Sequence, residues 1–223
     1  MSVIAALALD FDGVVVESVE LKNRAFGELF RDSHPHLVEQ VVAFQVANIG
    51  LSRFEKFPLI YERILGEPFP EGESERLDRR LSELVYEGVA TCPFVPGARE
   101  LIERASRSVP VYVASATPEE EVRSLVDARG LAPFVRAAYG SPARKSDNLV
   151  RIAAEVGVEP SHVLFVGDSE SDQQAAHASG VRFVGRVAPG DESPFAAEDG
   201  LELVPDLAAL AARLALWAPD AFG

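Results

Sequence analysis

Cysteine, methionine and tryptophan each occur once among the 223 residues. Cys92 alone forms no internal disulfide and no thiolate zinc cluster, and it fits a reducing compartment. Cations are scarce too. Lys plus Arg number 21 against 35 Asp plus Glu, a formal net charge of −14. Such a surface repels phosphate backbones and anionic lipid headgroups, and no local basic patch offsets it. Neither nucleic acid nor membrane is an expected partner. Apolar runs are short, none approaching the ~20 residues that span a bilayer. The opening MSVIAALALDFDG has no cationic leader region and ends in two aspartates, unlike a signal peptide. A soluble, cytoplasmic protein is expected.

The remainder is ordinary globular material, 48% hydrophobic and 25% charged, which excludes wholesale disorder. The length suits one core with a smaller insertion. Val3 to Leu9, Val109 to Ala114 and Val163 to Val166 are short apolar runs, as expected of strands buried on both faces, and Val181 to Val184 is a weaker fourth. Helical patterns alternate with them. Thr117-Pro118-Glu119-Glu120 reads as an N-cap, a proline at the first helical position and a capping-box glutamate, with Gly130 closing that helix. Leu149 to Val156 is a second helix, Ser171 and Gln174 space a capping box before a third, and Asp206 to Trp217 closes the chain. This alternation predicts an α/β fold, a parallel sheet with helices on both faces.

Residues 14–92 break the rhythm. They hold helical patterns only, at Leu21–Phe30, Leu37–Ala47, Ser52–Leu65 and Glu75–Gly88, with Pro58 expected to kink or restart the third. A helical insertion after the first strand is predicted, within a core of residues 1–13 and 93–223.

Ligands of open parallel sheets bind beyond the carboxyl ends of the strands. There this chain carries Asp10-Phe11-Asp12-Gly13, Ser115-Ala116-Thr117, Arg144-Lys145-Ser146 in a loop, and Gly167 through Asp172. Asp10 and Asp12 are two apart, so on an extended segment both carboxylates face one side. Repulsion between them and Asp168 calls for a hard divalent cation, and carboxylates with a substrate phosphate are typical Mg²⁺ ligands. Lys145 supplies a compact ammonium for a phosphoryl oxygen, and Ser115 with the N–H groups of the loop entering the next helix supplies donors. Each piece alone is ordinary turn or helix-cap chemistry. Their joint occurrence in this order is the signal.

Together these four segments resemble the motifs of the haloacid dehalogenase-like superfamily, in its phosphatase branch with a helical cap inserted after the first motif. The resemblance implies a Rossmann-like core that hydrolyses a phosphomonoester with Mg²⁺ through an aspartyl-phosphate. By position it implies Asp10 as nucleophile and Asp12 as general acid/base, with Ser115, Ala116 and Lys145 binding the phosphoryl group. It implies Mg²⁺ on the Asp10 carboxylate, the Asp12 backbone carbonyl and Asp168, with Asp172 supporting the metal or its waters. Dehalogenases lack the second acid because halide departs without a proton, so Asp12 favours a phosphatase. Val14 replaces a common threonine and Ser146 a common proline. Val14 also occurs in β-phosphoglucomutase-like members, so a phosphomutase is an alternative. A non-catalytic binding or scaffold protein is another, although no nucleophile or metal-ligand position is vacant.

Substrate candidates are a small phosphorylated metabolite such as phosphoglycolate or a sugar phosphate; monomer and homodimer are equally compatible with the sequence. Arg53 and Lys56 share a face in the first turn of an inserted helix, where the helix dipole opposes cations. They are expected to reach an anionic substrate, or else to form a surface ion pair with Glu55. The stripe Phe54, Phe57, Ile60, Tyr61 and Ile64 is expected to pack within the insertion.

Overall fold

A computed structural model describes residues 4–218 and Phe222. Val3, at the start of the first predicted strand, lies outside the described residues. Six strands, β1 (Ala6–Leu9), β2 (Val111–Pro118), β3 (Ala137–Ser141), β4 (Val163–Gly167), β5 (Arg182–Arg186) and β6 (Glu202–Val204), form one parallel sheet in the order β3-β2-β1-β4-β5-β6. Alternating side chains supply its two faces. Leu7, Leu9, Val113 and Val166 pack on α5 (Ala98–Ala105), α6 (Glu119–Ala128) and α9 (Leu207–Trp217). Ala6, Ala8, Tyr112 and Phe165 pack on α7 (Lys145–Val156) and α8 (Glu170–Ser179). Strands β3 and β6 have no counterpart in the sequence reading. AAYGS is rich in small residues of low strand propensity, and ELV is a three-residue edge.

Between β1 and α5 lie α1 (Val19–Phe30), α2 (Val38–Ala47), α3 (Arg53–Ile60) and α4 (Glu73–Thr91). No strand occurs there among the described residues, only single bridges Asp12–Val16 and Val16–Phe94. Phe57 and Ile60 of the predicted stripe are fully buried and Phe54 and Ile64 half-buried, and Phe57 meets Phe26 at a ring separation of 6.1 Å. The Ser52–Glu55 capping box forms as predicted. Pro58 neither ends nor restarts α3. The helix passes through it, and the departure from α geometry comes later, as a π turn at Tyr61–Leu65 closed by left-handed Gly66.

Buried arginines pin both crossings between sheet and inserted helices. Arg186 donates to the Gly13 carbonyl at 3.1 Å and pairs with Glu17 at 2.7 Å. Arg129 donates to the carbonyls of Ala90 and Cys92 at 2.9 and 2.6 Å and lies 4.0 Å from the centre of the Phe94 ring.

Three helix starts differ from expectation. Strand β2 continues to Pro118, and α6 begins without a side-chain cap, so Thr117 is free for another partner. The last capping box is Ser169–Asp172, two residues earlier than predicted. Helix α7 begins at Lys145, which stands on its first turn and not in the preceding loop.

Candidate active site

The strand order reverses between β1 and β4, the switch point where open α/β sheets bind ligands. Asp10 leaves the end of β1, Asp168 follows β4, Ser115 lies on β2, and Lys145 opens α7. Asp10 is buried; one carboxylate oxygen accepts from the Phe11 N–H at 2.7 Å and the other from Lys145 Nζ at 2.8 Å. The same ammonium donates to Asp172 Oδ1 at 2.5 Å. The second Asp172 oxygen accepts from the N–H groups of Asp168 and Ser169 at 3.2 and 3.1 Å and from the Ser169 hydroxyl at 2.6 Å. The capping box that starts α8 thus also fixes the acid that orients Lys145.

One carboxylate oxygen each from Asp10, Asp168 and Asp172 lies within 4.8 Å of the others. Burial raises the Asp10 pKa to about 7 against the pull of Lys145, with the Asp172 charge adding to the rise. Burial and then the charges of Asp172 and Asp10 push Asp168 well above the carboxylate range. Burial disfavours the Lys145 ammonium, but Asp10 and Asp172 more than offset it and hold its pKa above the ordinary lysine range. Three hard oxygen donors crowd together while the single ammonium bonds only Asp10 and Asp172, a donor set that suits a divalent cation. Gly13 lets the Asp168 carboxylate approach: its φ is +74°, and a side chain there would run into that carboxylate.

Asp12 stands apart. Ser18 Oγ donates to its Oδ1 at 2.5 Å; Lys22 Nζ and Thr117 Oγ1 donate to its Oδ2 at 2.5 and 3.0 Å. Burial pushes its pKa up, but the Lys22 ammonium and these hydrogen bonds prevail and leave it lowered. The third acid of the carboxylate cluster is accordingly Asp172 and not the Asp12 side chain. Sequence reasoning missed Lys22, Ser18 and Thr117. Thr117 was read as a helix cap, and nothing in the spacing marks the other two.

A cavity of about 70 Å³ lies beside these groups, bordered by Asp10, Asp12 and Ser115 from the sheet and by Lys22, Arg53 and Lys56 from the inserted helices. Ala116 lines it as well, and Thr117 N–H donates to Ser115 Oγ at 3.1 Å. The expectation that both inserted cations await a substrate needs correction for Arg53. Its guanidinium bonds both Glu121 oxygens at 2.9 and 3.0 Å, Asp78 at 3.0 Å and Ser82 at 2.8 Å, so carboxylates already neutralise it. Lys56 is buried, donates to Gln45 Oε1 at 2.8 Å and lies 5.2 Å from the Phe26 ring centre; among the described residues it has no carboxylate partner. Burial, then the Lys22 charge, lowers its pKa to about 7. The surface pair with Glu55 does not form, because Glu55 turns back to Ser52.

A family profile for haloacid dehalogenase-like hydrolases matches residues 4–180. The chain belongs to the haloacid dehalogenase-like hydrolases. Within that family it is similar to a phosphoglycolate phosphatase of Rhodospirillum rubrum, 31% identical over 213 residues that cover 92% of this chain and 88% of that one. Among solved structures it is similar to CbbY from Rhodobacter sphaeroides in complex with phosphate, with a TM-score of 0.71 at 24% identity over 93% of this chain and 96% of that one. A β-phosphoglucomutase from Clostridium difficile gives a TM-score of 0.66 at 16% identity over 83% and 85%. At these identities the two structures establish a shared fold. No helix among the described residues is long and apolar enough to cross a membrane.

Proposed function

We propose that this haloacid dehalogenase-like hydrolase is a Mg²⁺-dependent, cytoplasmic phosphatase of a small phosphorylated metabolite, phosphoglycolate- or sugar-phosphate-like, and that it works through an aspartyl-phosphate. Residues 1–13 and 93–223 form the catalytic core and 14–92 the cap. The observation that carries this reading is the Asp10 carboxylate, held between Lys145 and the Asp168–Asp172 acids at the edge of a cavity that also contains the separately anchored Asp12.

Asp10 is the nucleophile. Its oxygen bonds to phosphorus while the bond to the leaving oxygen breaks, and Asp12 gives that oxygen a proton. Water then attacks phosphorus, Asp12 takes its proton, and the Asp10 carboxylate is regenerated. Lys145, Ser115 and the Ala116 N–H bind the phosphoryl oxygens. Asp10, the Asp12 carbonyl and Asp168 would hold Mg²⁺, with Asp172 behind them; the ion neutralises phosphoryl charge when bound. Lys56 reads the rest of the substrate, and Arg53, committed to Glu121 and Asp78, seats the cap above it. The likeness to a phosphoglycolate phosphatase supports a leaving group with its own carboxylate.

Phosphate release across a panel of phosphorylated metabolites, with and without Mg²⁺, tests this. Mg²⁺-dependent release is expected; isomerisation without release, or no turnover of any member, overturns it. Asp10→Asn, nearly isosteric but not nucleophilic, should cut turnover by roughly four orders of magnitude or more while the protein stays folded.

A further inference from the structure

Part of the cavity wall is a cation already claimed by acids. Arg53 borders the cavity, yet its guanidinium donates to both Glu121 oxygens at 2.9 and 3.0 Å, to Asp78 at 3.0 Å and to Ser82 at 2.8 Å. Ser82 in turn donates to Glu121. One guanidinium thus faces two carboxylates, and the node as a whole is negative. Asp78 and Ser82 stand on α4 of the insertion, whereas Glu121 stands on α6 of the core.

Lys56, three residues along α3, borders the same cavity in a different state. Its one hydrogen bond runs to the neutral Gln45 Oε1 at 2.8 Å, and an ammonium has three donors. The other inserted cation, Lys22, is matched by Asp12 at 2.5 Å. Away from the phosphoryl-binding groups, the cavity therefore offers one unanswered cation and one surplus acid.

A second anion on the substrate meets these two groups unequally. A carboxylate can pair with Lys56 and displace nothing charged. A second phosphate brings three acceptor oxygens and up to two charges, so it must also draw donors from Arg53. That leaves Glu121 enclosed and unpaired, and the like charge of the node opposes the approach.

We infer that Glu121 sets the substrate class: by holding Arg53 inside a negative node, it restricts the cavity to phosphomonoesters with one further single negative charge, such as a carboxylate, and excludes bisphosphates. This rests on the phosphatase reading. Glu121 is a positioning residue that acts through Arg53.

The experiment measures inhibition of phosphate release from whichever of the metabolite panel and p-nitrophenyl phosphate turns over fastest, with Mg²⁺ in excess. The inhibitors are 3-phosphonopropionate and ethane-1,2-bisphosphonate, which differ only in the carboxylate or phosphonate at the second end. Wild type should bind the carboxylate probe at least about tenfold more tightly. Glu121→Gln keeps the shape and removes the charge. It should tighten the bisphosphonate about tenfold to a hundredfold, while the carboxylate probe and kcat shift less than about threefold. Adding Arg53→Met should abolish that gain, which a merely loosened insertion would retain. Asp78→Asn, at a partly exposed position, should tighten the bisphosphonate about threefold to tenfold and carries the test should Glu121→Gln not fold. A wild type that binds both probes equally or the carboxylate probe not at all overturns the role of Glu121 and leaves the phosphatase reading standing. So do variants that bind the bisphosphonate no better, variants that bind both probes equally better, and a gain that survives loss of Arg53. A wild type that releases phosphate from no compound overturns both.

Discussion

Arg53 on α3 and Glu121 on α6 meet in a two-pronged ion pair at 2.9 and 3.0 Å, with side chains only 5% and 8% exposed. Ser82 also donates to Glu121, so α4 joins the same node. Removing one partner of such a buried pair leaves an unanswered charge, which typically costs about 3–5 kcal/mol. Arg53→Met is expected to lower unfolding free energy in urea by about that amount. A loss under about 1 kcal/mol would show that the node does not hold the inserted helices to the core.

Lys56 should leave a mark on stability against pH. Its pKa is lowered from 10.5 to about 7 by burial first, then by the Lys22 charge; Asp12 and Glu55 pull the other way and Arg53 adds to the lowering. Below about 7 folded and unfolded chains both carry the proton, and the cost of the buried charge is fully present. Between about 7 and 10.5 only the unfolded chain holds it, so this group makes stability rise with pH across that window. Urea unfolding of wild type and Lys56→Met should differ in slope there and run parallel below it. Parallel curves throughout would contradict a buried, unpaired ammonium.

The same lysine should discriminate substrates. For a substrate with a second anion, Lys56→Met should raise KM about tenfold to a hundredfold, the value of one charge-assisted contact. A small aryl phosphate, which lacks that anion, should be nearly unaffected. Equal losses on both substrates would assign Lys56 to structural support.

Asp168 bears on metal and stability together. Asp10, Asp168 and Asp172 crowd one region, and the Lys145 ammonium bonds Asp10 and Asp172 but not Asp168. Asp168→Ala should melt higher than wild type without metal, because one repelling carboxylate is gone, and should gain less from added Mg²⁺. Thermal melts over a Mg²⁺ titration measure both; an undiminished Mg²⁺ shift would remove Asp168 from the ligand set.

Three of the predicted strands, β1, β2 and β4, were legible because central parallel strands are buried on both faces and read as short apolar runs, as Leu7, Leu9, Val113 and Val166 do; β5, half-buried at Arg182 and Phe183, gave the weaker run. Strand β3 was not, since Ala137, Gly140 and Ser141 owe their extended form to pairing with β2 and not to propensity. Thr117 carried a cap signature that the structure overrode, because its hydroxyl found Asp12 and Lys22.

By itself the sequence determined the parallel α/β sheet, the place of the helical insertion, and the positions of Asp10, Asp12, Ser115, Lys145, Asp168 and Asp172. Asp10, Asp12, Ser115 and Asp168 are attached to strand ends that local pattern locates, and a parallel sheet brings such ends to one edge; Lys145 and Asp172 stand on helix starts that lie earlier than the pattern placed them. Only the tertiary structure decided how the inserted helices meet that edge. Lys22 and Thr117 lie 95 residues apart, and Arg53 and Glu121 lie 68 apart. No local periodicity encodes contacts across such separations. They follow from how the helices pack over Phe57, Ile60 and Leu81, and that packing left Arg53 neutralised and Lys56 without a carboxylate, although the two cations begin on the same turn.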